Sequence, residues 1–90
     1  MIFKTIDDKI EDLGFRLITD NKCLVIYERF DKKYNFRQVV SLCHKQSGKH
    51  IIQSYDPDLF DNKNIGNTCV GLTYKETKLL LKKMRKKGWK

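Results

Sequence analysis

Apolar residues at the start of the chain recur at helical spacing. Phe3, Ile6, Ile10 and Leu13 fall at steps of three, four and three residues, which places them on one helical face. Asp7, Asp8, Glu11 and Asp12 take the other face, and the first pair complements the positive end of the helix dipole. Thr5-Ile6-Asp7-Asp8 has the form of a capping box. Gly14 suits the left-handed residue that ends a helix, with Phe15 positioned to fold back onto the last turn. The pattern predicts a short acidic amphipathic helix over about residues 6–13.

From Phe15 the period changes to two. Phe15, Leu17 and Thr19 alternate with Arg16 and Ile18, and Asp20-Asn21 supplies a turn. Strands are expected over about 15–19, 22–30, 34–45 and 49–55. The second has apolar residues on both faces at Leu24, Val25 and Ile26, which suits a position in the centre of the sheet or under a helix. In the third, Tyr34, Phe36, Val40 and Leu42 share a face, with Gln38 the exception, and Gln46-Ser47-Gly48 turns the chain into the fourth. Connections this short favour an antiparallel meander, because parallel neighbours need a long crossover. Residues 56–72 show no sustained periodicity and are expected to be an irregular loop, with a short strand near Cys69-Val70 an open option.

Thr73-Tyr74-Lys75-Glu76 is a second capping box, and Gly88 stops the helix it opens, expected over about 74–87. Tyr74, Thr77, Leu80, Leu81 and Met84 fall within about 120° of one another and form the expected buried stripe, with Leu79 apart from it. The whole reads as one α+β domain over residues 1–90. Its expected architecture is two layers: a three- to four-stranded antiparallel meander with the N- and C-terminal helices on one face.

Composition changes the picture mainly through where charge sits. The 90 residues carry 19 Lys+Arg against 11 Asp+Glu, a formal +8. Residues 1–72 hold 11 bases and 10 acids, whereas residues 73–90 hold eight bases and one acid. The excess therefore belongs to one helix and its tail. Cations near a helix C-terminus are favoured by the dipole, but the dipole does not call for so many. Their mutual repulsion is relieved by an anionic partner.

Three partners fit. A phosphate backbone would be met by Lys75, Lys78, Lys82, Lys83, Arg85, Lys86, Lys87 and Lys90, with Trp89 placed to stack on a base and Tyr74 assigned to the core. An acidic protein is the second. The third is no external partner: a solvated helix face, or one docked against the acidic face of the first helix.

Length excludes two-domain and barrel enzymes. The longest uninterrupted apolar run is Cys23–Tyr27, far short of the roughly 20 residues that cross a bilayer. Met-Ile-Phe-Lys followed by acids lacks the order of a signal peptide, so a cytoplasmic location without membrane association is expected. Three cysteines without CxxC spacing argue against a disulfide framework. Cys43, His44 and His50 flank one hairpin, where His44 falls opposite either His50 or Ile51, but no zinc spacing is present. Ser47-Gly48-Lys49 lacks the upstream glycine and following helix of a phosphate-binding loop. No catalytic residue, metal or cofactor is assigned.

Two resemblances add context. The order helix, antiparallel strands, helix is similar to the double-stranded-RNA-binding fold. Within it, Ile10-Glu11-Asp12-Leu13-Gly14-Phe15-Arg16-Leu17 resembles the opening of HicA-family toxins. Those toxins carry a functional histidine on the second strand, and residues 22–30 contain none, so their activity is not carried over. The second covers most of the chain. Ser47-Gly48-Lys49-His50-Ile51-Ile52-Gln53-Ser54-Tyr55-Asp56 and Gly71-Leu72-Thr73-Tyr74-Lys75-Glu76 through Gly88-Trp89 resemble small uncharacterised phage and prophage proteins of Gram-positive bacteria. That resemblance implies a setting in which small proteins bind host nucleic acid or inhibit host enzymes. The expectation carried forward is a non-enzymatic phage or prophage accessory protein that binds nucleic acid through its last helix. The alternative is a protein–protein interaction module or inhibitor of a host factor, using the exposed sheet face or the 56–72 loop.

Overall fold

The computed structural model describes residues 4–32, 36–57 and 70–89. Tyr34, Asn35, Cys69, Lys90 and most of the expected loop lie outside the described residues. The elements are α1 (Ile6–Asp12), β1 (Arg16–Asp20), β2 (Leu24–Asp31), β3 (Phe36–Cys43), β4 (Ile51–Tyr55) and α2 (Tyr74–Lys86). The strands form one antiparallel sheet in the order β1-β2-β3-β4. This is the expected α+β architecture, with β2 central, one of the positions its two-sided apolar pattern suits.

Directly paired residues of an antiparallel sheet share a face. Val25 pairs with Leu42 and Tyr27 with Val40, and these four side chains are buried with Phe15, with Ile10 of α1, and with Leu79, Leu80, Met84 and Trp89 of α2 and its end. Both helices therefore cover the same face of the sheet. Burial of such side chains contributes roughly 1.5–3 kcal/mol each and is the main source of stability.

Gln38, the exception in the third strand, is 1% exposed on this helix-covered face. It is tolerated because its polar atoms are satisfied. The Arg29 guanidinium donates to Gln38 Oε1 at 2.6 Å, and Gln38 Nε2 donates to Ser54 Oγ at 2.8 Å. Arg29 also donates to the Leu13 carbonyl at 3.1 Å and to Glu76 at 2.7 Å, and its guanidinium lies 4.2 Å from the centre of the Phe15 ring. One arginine thus fastens the end of α1, the start of α2 and the middle of the sheet. Gly14, at φ +95°, leaves room for it: a Cβ there would stand 3.3 Å from Arg29 Cδ.

β1 departs from simple alternation. Leu17 pairs with Tyr27 and Thr19 with Ile26, and the register shifts between them, leaving Ile18 as the extra residue of a bulge. Asp20 consequently pairs with Val25 and comes to the helix-covered side. Among the described residues, no helix is long and apolar enough to cross a membrane.

Candidate nucleic-acid interface

The lysine-rich helix is built by local signals at both ends. Thr73 accepts from the Glu76 amide at 3.1 Å while Glu76 accepts from the Thr73 amide at 2.8 Å, completing the capping box. At the other end Gly88, at φ +81°, allows its amide to reach the Arg85 carbonyl and the Trp89 amide to reach the Met84 carbonyl. This pair of bonds is a Schellman stop, with Trp89 and Met84 as its apolar contact. Burial raises the Glu76 carboxyl, but the Thr73 amide and Arg29 outweigh it and leave the group below its ordinary value.

The buried residues of α2 are Glu76, Leu79, Leu80, Lys83 and Met84. This corrects the expected stripe: Tyr74 is 82% exposed, Leu81 is exposed, and Leu79 is buried. At 100° per residue, the buried arc is turned by roughly 90° from a stripe chosen on apolar residues alone. The turn brings two charged residues inward, which is sustainable only because both are paired.

Lys83 is the decisive one. Its side chain is 5% exposed, and its ammonium donates to Asp7 of α1 at 2.7 Å and to Asp20 of β1 at 3.2 Å. Lys86 meets Asp7 at 3.3 Å, and Lys87 bonds Asp20. Hydrogen bonds from Lys83 and Lys86 hold the Asp7 carboxyl below its ordinary value, and those from Lys87 and Lys83 do the same for Asp20. Burial pulls the Lys83 ammonium down, but bonding to Asp7 and Asp20 outweighs it and leaves it raised.

The expected set of nucleic-acid contacts therefore divides. Lys83, Lys86 and Lys87 are paired with Asp7 and Asp20. Lys75, Lys78, Lys82 and Arg85 are exposed and meet no acid among the described residues. Trp89 is corrected as a stacking residue. It is 8% exposed and packed in the core, where His44 lies 5.3 Å and His50 5.8 Å from its ring centre. The two histidines stack at 4.6 Å, which resolves the hairpin register in favour of facing histidines. Among the described residues, no group of three or more His, Cys, Asp or Glu is placed to hold a metal ion.

Three of these exposed bases, Lys75, Lys78 and Lys82, line a groove. It lies between α1 and α2, has a volume of about 450 Å³, and is bounded by Lys9, Asp12 and Leu13 on one side and Lys75, Lys78, Leu79 and Lys82 on the other. Asp12, the one acid among the described residues that line it, is engaged by Lys4 at 2.6 Å. The cationic surface thus runs from α2 onto Lys9 of α1. It does not pass through the sheet arginines: Arg29 is committed internally, and Arg16 and Arg37 both approach Glu28.

Sequence reasoning missed Lys9 and Tyr74 as members of this surface, and Asp20 as a clamp. Only the alternative in which the basic helix docks on the acidic first helix pointed to Asp7. Comparison with protein families, curated proteins and solved structures finds no match to this chain.

Proposed function

We propose that this chain is a small non-enzymatic nucleic-acid-binding protein, and that phosphates bind along the α1–α2 groove. The observation that carries the reading is that Lys75, Lys78 and Lys82, at steps of three and four residues, line one groove with Lys9 and lack acidic partners among the described residues. Side chains at such steps are neighbours on a helix surface. Lys75 to Lys82 spans about 10 Å along the axis, so the three ammonium groups form a short linear array. Leu13 and Leu79 give the groove an apolar floor, so the ammonium groups act against a surface that does not solvate a competing counterion well. The resemblance to phage and prophage proteins supports an accessory role in a bacterial cell.

The test is a binding titration against DNA and RNA at several salt concentrations. The variant K75Q/K78Q/K82Q is expected to bind at least tenfold more weakly at low salt. Its log K against log salt slope is expected to flatten by about 2. The matched control K22Q/K45Q/K49Q removes the same charge from exposed turn lysines and is expected to bind like the unaltered chain. Absence of binding at low salt, or equal losses in both triple variants, would overturn the proposal. A partner retained from nuclease-treated lysate and lost in the groove variant would instead support the acidic-protein alternative.

A further inference from the structure

We propose that the nucleic acid recognised is single-stranded, with Tyr74 as the platform on which an unpaired base stacks. This rests on the groove reading and adds a substrate class to it.

Tyr74 is the most exposed large hydrophobic residue described, at 82%, and it opens the helix that carries the groove lysines. A ring left in water at the first position of a 13-residue helix is not explained by folding. The capping box at this end is complete without it, since Thr73 and Glu76 satisfy each other's amides. Its surroundings suit a base. On the helix circumference Tyr74 stands about 40° from Lys78 and about 20° from the exposed Leu81 and from Arg85, which lie about 10 Å and 16 Å farther along the axis. Lys78 is the nearest of these along the axis, one turn away, and it also lines the groove. A strand whose phosphates follow Lys75, Lys78 and Lys82 therefore has a π-face within reach of its bases.

Duplex does not fit this arrangement as well. Its bases are stacked on one another and cannot use the ring without being unpaired. A single strand can place its backbone in the groove and turn a base outward. Aromatic platforms flanked by cations are the recurring means by which proteins hold single strands with little sequence preference. The same chemistry serves single-stranded DNA and single-stranded RNA.

Fluorescence anisotropy with a 12-nucleotide oligo-dT, a 12-nucleotide oligo-rU and a 12-base-pair duplex tests the inference. The single strands are expected to bind more tightly than the duplex. Y74A is expected to weaken single-strand binding about tenfold with an unchanged salt slope, whereas Y74F and Y74W retain it within about twofold. Unaltered urea midpoints in all three variants would show that folding is not involved. If Y74A binds single strands like the unaltered chain, or if duplex is preferred, the inference is overturned. Should K75Q/K78Q/K82Q still lose affinity in that case, the groove reading survives without it. If no oligonucleotide binds at low salt, both fall. A stronger response to one oligonucleotide chemistry distinguishes RNA from DNA as the source of the strand.

Discussion

Lys82 and Lys83 are adjacent in the chain and opposite in situation. Lys82 stands in water at the wall of the α1–α2 groove, whereas Lys83 is buried between two carboxylates from distant elements. The same contrast runs through the aromatic residues that bracket the helix: Tyr74 is exposed and Trp89 is packed. A net charge treats these residues alike. Their energetic roles differ, because a paired charge in the interior stabilises the fold while an unpaired one on the surface is available to a ligand.

The comparison breaks most severely if Trp89 is removed. W89A deletes a buried ring that contacts the core and both stacked histidines. It is expected to cost about 3–5 kcal/mol, read as a fall in the urea midpoint. Y74A at the other end is expected to leave the midpoint where it is. Comparable losses in the two variants would show that the helix is not seated as described.

Next in size is Lys83. K83A removes a buried aliphatic stem and the charge shared by Asp7 and Asp20. A loss of about 2–4 kcal/mol is expected, below the upper range for fully buried pairs because both carboxylates keep some contact with water and retain Lys86 and Lys87. A stable K83A protein would mean that the acids, rather than the lysine, dictate the docking of α2.

How legible this was in the sequence follows from the same residues. The capping boxes at Thr5 and Thr73, the glycine stops at Gly14 and Gly88, and the strand alternation are local signals, and local signals placed the elements and their layering. The helical phase of α2 was not legible. Apolar residues alone pointed to Tyr74, Thr77 and Leu81, whereas the buried arc admits Glu76 and Lys83 because Arg29, Asp7 and Asp20 await them. Those partners lie far away in sequence. Asp20 faces the helices only because of the bulge at Ile18, and nothing in the residue types at 16–20 announces an extra residue. Gln38 was visible as an anomaly, but its explanation needed Arg29 and Ser54 from neighbouring strands.

Titration separates the two sets of lysines without mutation. Asp7, Asp20 and Glu76 have carboxyls held below their ordinary values, so the folded state binds fewer protons than the unfolded chain. Their contribution is present above the ordinary carboxylate range and is lost as pH falls through the folded values. Lys83 is raised, and burial pushes the Tyr27 phenol up to about 12. The contribution of both is present below their ordinary values and is lost as pH rises through the folded ones. A stability plateau between about pH 5 and pH 10 is expected. The acid-side loss from Asp7 and Asp20 is on the order of 1 kcal/mol, because both keep water contact. Urea unfolding across pH measures it, and the acid limb is expected to shrink in K83A. An unchanged limb would place the acid sensitivity elsewhere.

The smallest effects are expected on the outer side of α2, and their smallness is informative. K78Q and K82Q remove charges that have no acidic partner among the described residues, so each is expected to change stability by no more than about 0.5 kcal/mol. The direction favours slight stabilisation, because like charges three and four residues apart on a helix repel. Lys82 has Lys78 one turn before it and Lys86 one turn after it, whereas the Lys86 charge is drawn toward Asp7. K82Q is therefore expected to gain at low salt and to match the unaltered chain at high salt, where screening shortens the reach of the repulsion to a few ångströms. A loss of stability in K82Q would mean that Lys82 makes a structural contact. The groove would then be part of the scaffold and not a surface kept open for phosphate.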